Sequence, residues 1–253
     1  MRAEVRPSRP GVLRACVHAP RAAAVPDITA QRLLLVADLL ARAAELSGLQ
    51  VLTALDVTGA SPEQAAAIDR DADGLGVHPP AARASCPDAP SLLGGPVDVH
   101  LVSQDADVDP GPAGLVVSVG AGQLEEADGR RDADHGGLLT GHHYDPLAAR
   151  LALMSIPNDR PAVLTGGGLA HAGETLTDWR QLVARWAESP SRPVPAAIAE
   201  AAGAAFSDLD TVSALTMLHG LATGASTPAG AKFEAFVYAD RVLGLDLPRD
   251  IGR

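Results

Sequence analysis

At 253 residues the chain is long enough for one sizeable domain or two small ones, and 47% hydrophobic with 20% charged residues excludes a disordered or fibrous class. A net charge of -11, with Lys232 the single lysine among 20 cationic residues, disfavours a nucleic-acid partner, tRNA included, because an acidic surface repels phosphates. Two cysteines cannot build a disulfide framework and no apolar run approaches the roughly 20 residues of a membrane span, so a cytoplasmic protein with an aliphatic core is expected.

Residues 12–18 form an apolar run that predicts a strand. After an Ala-rich loop, Leu33, Leu34, Val36, Ala37, Leu40 and Ala44 place an apolar face on a helix over 29–47, with Arg32, Asp38, Arg42 and Glu45 mostly elsewhere. Gly48 stops it, and 49–57 is a second apolar run. Strand, helix and strand at this spacing predict a right-handed crossover and a parallel sheet. In such a unit the first turn between strand and helix is where phosphates are usually held.

Ser61 and Pro62 are the N-cap and first residue of another helix. Residues 79–96, rich in Pro, Ala and Gly, read as connection, whereas 97–103 and 114–119 read as further strands. The polar stretch 121–143 reads as a surface loop. Helical spacing then returns over 147–155, 178–188, 196–205, 211–223 and 230–243, with Asp145 as the cap of the first. The expected fold is therefore an α/β, Rossmann-like parallel-sheet domain over 1–143 followed by an α-helical bundle over 144–253.

Several segments carry a resemblance. Val17-His18-Ala19-Pro20, followed by Val25-Pro26-Asp27-Ile28-Thr29-Ala30-Gln31-Arg32, resembles the V-C-G-P and P-H-I-G-H-A-R segments of cysteinyl-tRNA synthetases and of the related cysteine ligase of mycothiol synthesis. Leu75 to Pro80 is similar to that family's L-x-V-x-P-P turn, and Cys86 with Val97-Asp98-Val99-His100 is similar to a family cysteine and its D-I-H segment. Tyr144-Asp145-Pro146-Leu147, with Arg150 and Leu151, resembles Y-D-P-L-x-x-R-L, and Ser207 to Thr211 resembles D-D-L-N-T-P. The resemblance implies a class I synthetase ancestor that used ATP and zinc.

The departures bear directly on chemistry. Where the resemblance implies His, Gly and His against ATP phosphates, this chain has Asp27, Thr29 and Ala30, and a carboxylate repels phosphate. The lysine-rich nucleotide signature has no counterpart in Gln123 to Asp128. For zinc, His18 stands at the first cysteine ligand and Cys86 at the second, while the family's H-H-E segment is replaced near 108–114, so that two candidate metal ligands remain. The ATP and zinc residues implied by the resemblance are thus largely missing.

Other groups have competing readings. Asp56 and Asp98, with His18 and His100, are candidates for a ligand cleft at the carboxyl edge of the sheet, against plain solvated strand ends. His135, His142 and His143 with Asp132, Asp134 and Asp145 read as a second metal cluster or as a polar loop. Gly166-Gly167-Gly168 reads as a hairpin or loop before a phosphate cradle. Trp179 and Trp186 lie seven apart on one helix face, as core or interface, and Arg150, Arg180, Arg185, Arg192, Arg241 and Arg249 are a candidate cationic face.

The expected function is a degenerate, non-catalytic relative that binds a small ligand, an amino acid or nucleotide, or a protein partner. The alternative is an active ATP-dependent aminoacyl or cysteine ligase in which Arg130 and Arg131 replace the missing lysines.

Overall fold

The computed structural model describes residues 7–19, 28–106, 113–125 and 145–253. Asp27, Arg130, Arg131, the 132–143 histidine and aspartate cluster and the boundary at 143/144 lie outside them. Five parallel strands form the main sheet: β1 (Val12–His18), β2 (Gln50–Asp56), β3 (Ala82–Arg83), β4 (Val99–Ser103) and β5 (Leu115–Val119), in the order β3-β2-β1-β4-β5. This is the doubly wound, Rossmann-like order, with its reversal between β1 and β4.

Between β1 and β2 runs α1 (Ile28–Leu46), and between β2 and β3 runs α2 (Pro62–Gly74). The start of α2 is a full capping box, with Ser61 Oγ accepting from the Gln64 N–H and Gln64 returning the bond to the Ser61 N–H. A short helix, α3 (Ala89–Leu92), lies within the stretch expected as plain connection, as does β3.

Alternation along β1 sorts the two faces of the sheet. Leu13, Ala15 and Val17 join Leu55, Val99 and Leu101 in the large apolar core that includes α1. Cys16 and Ala54 pack on the opposite face with Ala89, Leu93 and Val97.

The polar loop expected from residue 121 differs at its start. Gly122–Leu124 forms a strand, β6, paired in parallel with β7 (Ala162–Leu164). Glycines 166–168 are likewise no hairpin: they form the first turn of α5 (Gly166–Ala187), where Thr165 Oγ1 accepts from the Gly168 N–H. A strand of three residues has no readable period, and a glycine run carries a low helix propensity that the cap and the rest of the helix override.

The remaining helices are α4 (Pro146–Met154), α6 (Ala196–Ser207), α7 (Thr211–Thr223) and α8 (Ala229–Leu243). Asp145 caps α4 by accepting from the Leu147 N–H. Trp179 and Trp186 both meet Phe236 edge-on, at centroid distances of 5.6 and 5.2 Å, which makes them core residues.

The cationic-face reading fails for two of its arginines. Arg150 and Arg180 are buried, the first paired with Asp38 at 2.6 Å and the second with Asp145 at 2.6 Å. Arg32 and Asp38 on α1 are buried too, because α1 has the sheet on one side and helices on the other.

These carboxylates couple stability to pH. Burial by itself raises Asp38, but Arg150, Arg42 and the His78 backbone N–H outweigh it and hold the carboxyl below its ordinary value. Burial also raises Asp145, and Arg180, the Leu147 N–H and Arg249 again outweigh it. A depressed folded-state value gives stability that is present above the unfolded value, about 3.9, and lost as pH falls through the folded value. Asp240 has the opposite sign: burial raises it despite bonds from the Leu245 and Leu247 N–H groups, so its contribution is lost as pH rises through its folded value. With Asp56, Glu63 and Asp210 also lowered and Asp240 alone raised among the described carboxyls, the urea midpoint is expected to drop between about pH 5 and about pH 3. An unchanged midpoint would contradict this account.

Candidate metal centre

Parallel register builds the site. Cys16 pairs with His100 across β1 and β4, so their side chains leave the sheet on the same face. His18, two residues beyond Cys16, shares that face and is paired with Asp56 at the end of β2. Cys86 arrives from the segment after β3, where its backbone N–H donates to Asp56 Oδ2 at 3.0 Å. The other oxygen of Asp56 accepts from the Thr58 N–H at 2.9 Å.

One ligand atom from each of Cys16, His18, Cys86 and His100 falls within 4.8 Å of all the others. His18 Nε2 is 3.1 Å from His100 Nδ1 and 3.1 Å from Cys86 Sγ, and Cys86 Sγ is 3.8 Å from His100 Nδ1. A tetrahedral zinc ion separates its nitrogen ligands by about 3.3 Å and its sulfur ligands by about 3.8 Å. The two sulfurs are closer than that, because Cys16 and Cys86 are joined as a disulfide with their Cα atoms 6.5 Å apart.

The His100 ring is oriented for ligation. Its Nε2 lies 3.1 Å from the Ala113 carbonyl, which can only accept, so Nε2 carries the proton and the Nδ1 lone pair faces the cluster. Burial lowers the pKa of this imidazole despite the carbonyl and favours the neutral form that binds metal. Gly114 permits the arrangement: it has φ +92°, and a Cβ there would stand 3.0 Å from His100 Cδ2 and 2.9 Å from the Val97 carbonyl.

The Asp56 carboxyl is pushed up by burial and pulled below its ordinary value by Thr58, by the Cys86 N–H and by His18. It is a fixed anion that positions the Cys86 segment.

Comparison of the chain with protein-family models and with curated proteins gives no match.

Of the residues singled out in the sequence, His18, Cys86 and His100 meet in this cluster and Asp56 borders it. Cys16 is the addition, and its signal was the Cys-x-His alternation on one strand. Asp98 stands apart in role. It precedes β4, at the end opposite the carboxyl edge, and accepts from the backbone N–H groups of Ser8 and Arg14. Thr29 Oγ1 exchanges hydrogen bonds with the backbone of Gly122, and Ala30 is buried. Both residues lie in the first turn of α1, so its described part is engaged with the protein itself.

Proposed function

We propose that this protein is a zinc-holding, non-catalytic binding protein related to the cysteine-activating class I synthetases. The observation that carries the reading is the convergence of two thiols and two imidazoles within 4.8 Å, beside the reversal point of a Rossmann-like sheet. His18 and Cys86, the two positions where the resemblance implies zinc ligands, belong to that set. Two soft thiolates with two imidazoles favour zinc over magnesium or calcium.

Four protein donors fill a tetrahedral shell and leave no open position for a substrate thiol. The metal would then tie the Cys86 segment to the two central strands and shape the cleft in which an amino acid, a nucleotide or a protein segment is bound. Thr29 and Ala30, engaged within the fold, support a lost adenylation chemistry.

Reduced, full-length protein is expected to carry about one zinc ion per chain by elemental mass spectrometry, and His100→Ala should lower zinc affinity at least 10-fold. ATP-pyrophosphate exchange is expected to be absent with every amino acid. A reduced protein that refuses zinc overturns the metal reading, and robust exchange dependent on Arg130 and Arg131 overturns the non-catalytic one.

A further inference from the structure

The same four donors support two covalent states. Three of the separations, between the two imidazoles and from each to Cys86 Sγ, are those of a ligand set, while the two sulfurs are bonded to each other. A metal-thiolate site and a disulfide exclude one another, because only thiolates bind the metal. Resting on the zinc reading above, we infer that the centre is a redox-gated metal site. Hydrogen peroxide oxidises Cys16 and Cys86 to the disulfide and expels the metal; a dithiol reverses the change.

The surroundings assign the two cysteines different parts. Cys16 is fully buried on the central strand, between β2 and β4, and belongs to a small apolar cluster. Cys86 is half-buried on the segment leaving β3, and it meets the same cluster from outside. An incoming oxidant therefore reaches Cys86 first, and Cys16 waits behind it as the resolving thiol.

In the oxidative direction the Cys86 thiolate attacks one peroxide oxygen and the O–O bond breaks. Hydroxide leaves, takes a proton and becomes water, and Cys86 holds a sulfenic acid. The Cys16 thiolate then attacks the Cys86 sulfur; the S–S bond forms, the S–O bond breaks, and a second hydroxide leaves as water. The sulfurs lose two electrons, the peroxide gains them, and the zinc keeps its charge throughout. Only His18 and His100 remain as donors, and two imidazoles hold zinc weakly. In reverse, an external dithiol attacks the reachable Cys86 sulfur, releases Cys16 as thiolate, and closes to its own disulfide as Cys86 leaves.

The test uses full-length protein, reduced and loaded with zinc, to which hydrogen peroxide is added in steps with a chromogenic chelator present. Release of zinc is expected in a fixed ratio, about two thiols lost per zinc, with a mass decrease of about 2 Da and recovery of zinc binding after dithiothreitol. Cys16→Ser should stop at a Cys86 sulfenic acid that a dimedone-type probe tags; should this variant misfold, the wild-type ratio decides alone. Zinc that stays bound with both thiols intact overturns the gate and leaves the metal reading standing. Thiols lost without the intramolecular bond overturn it equally. Reduced protein that takes up no zinc at the outset overturns both.

Discussion

Arg150→Met is expected to lower the unfolding free energy by about 3–5 kcal/mol, the cost of removing one partner from a buried ion pair. Arg150 has no exposed surface, and each of its three guanidinium nitrogens donates a hydrogen bond. Nη2 donates to Asp38 Oδ2 at 2.6 Å, Nη1 to the Leu75 carbonyl at 3.0 Å and Nε to the Leu243 carbonyl at 2.5 Å. One side chain thereby joins α1, the end of α2 and the end of α8 to α4. Methionine fills much of the volume but leaves two carbonyls without donors and Asp38 with less countercharge.

Asp38 would retain Arg42 Nε at 2.8 Å and His78 through its backbone N–H and Nδ1. The double variant Arg150→Met with Asp38→Leu removes the unpaired charge, so its loss should be smaller than the sum of the two single losses. Urea denaturation with a constant m-value measures all three, and on the order of 10 °C in melting temperature should accompany the single change. A loss below about 1 kcal/mol for Arg150→Met would show that water or a neighbour replaces the guanidinium.

Much of the α/β half was legible because its longer elements carry a period. β1 lies over the residues expected for it, and α1, β2, α4, α7 and α8 begin and end within about two residues of expectation. What sequence could not give is pairing across distance. Cys16 and His100 are 84 positions apart, and only the register of β1 on β4 makes them neighbours. His18 and Cys86 were singled out from motif positions, but Cys16 lies one strand period before His18 and had no motif to mark it. The polar residues of α1 misled for a related reason. Arg32 and Asp38 look like solvent-facing positions by helical period, and a helix covered on both sides has no such face.

Arg32 carries the second large effect. Its Nη1 donates to the Gly120 carbonyl at 2.8 Å and to the Arg160 carbonyl, and its Nη2 donates to the Pro157 carbonyl at 2.8 Å. Burial lowers its pKa against the pull of Asp159, yet a guanidinium stays charged in proteins. The residue therefore fixes the segment after β5 and the turn before β7 onto α1, and with them the β6 and β7 pair. Arg32→Met should cost about 1–3 kcal/mol, most of it from the buried Gly120 carbonyl losing its donor, since the Arg160 and Pro157 residues are exposed and the Pro157 carbonyl keeps the Arg160 N–H. Arg32→Lys should recover little, because one ammonium cannot supply the planar fork that reaches three carbonyls at once. Gly120→Ala attacks the same junction from the other side, driving a Cβ into the Arg160 backbone carbonyl. The two variants should share one phenotype: faster proteolysis near 157–161 and a lower urea midpoint, while the zinc content of the reduced protein stays unchanged. If zinc binding is found as proposed, a zinc content that falls with either variant would mean that this junction also supports the proposed metal centre, and that these arginines are not purely structural.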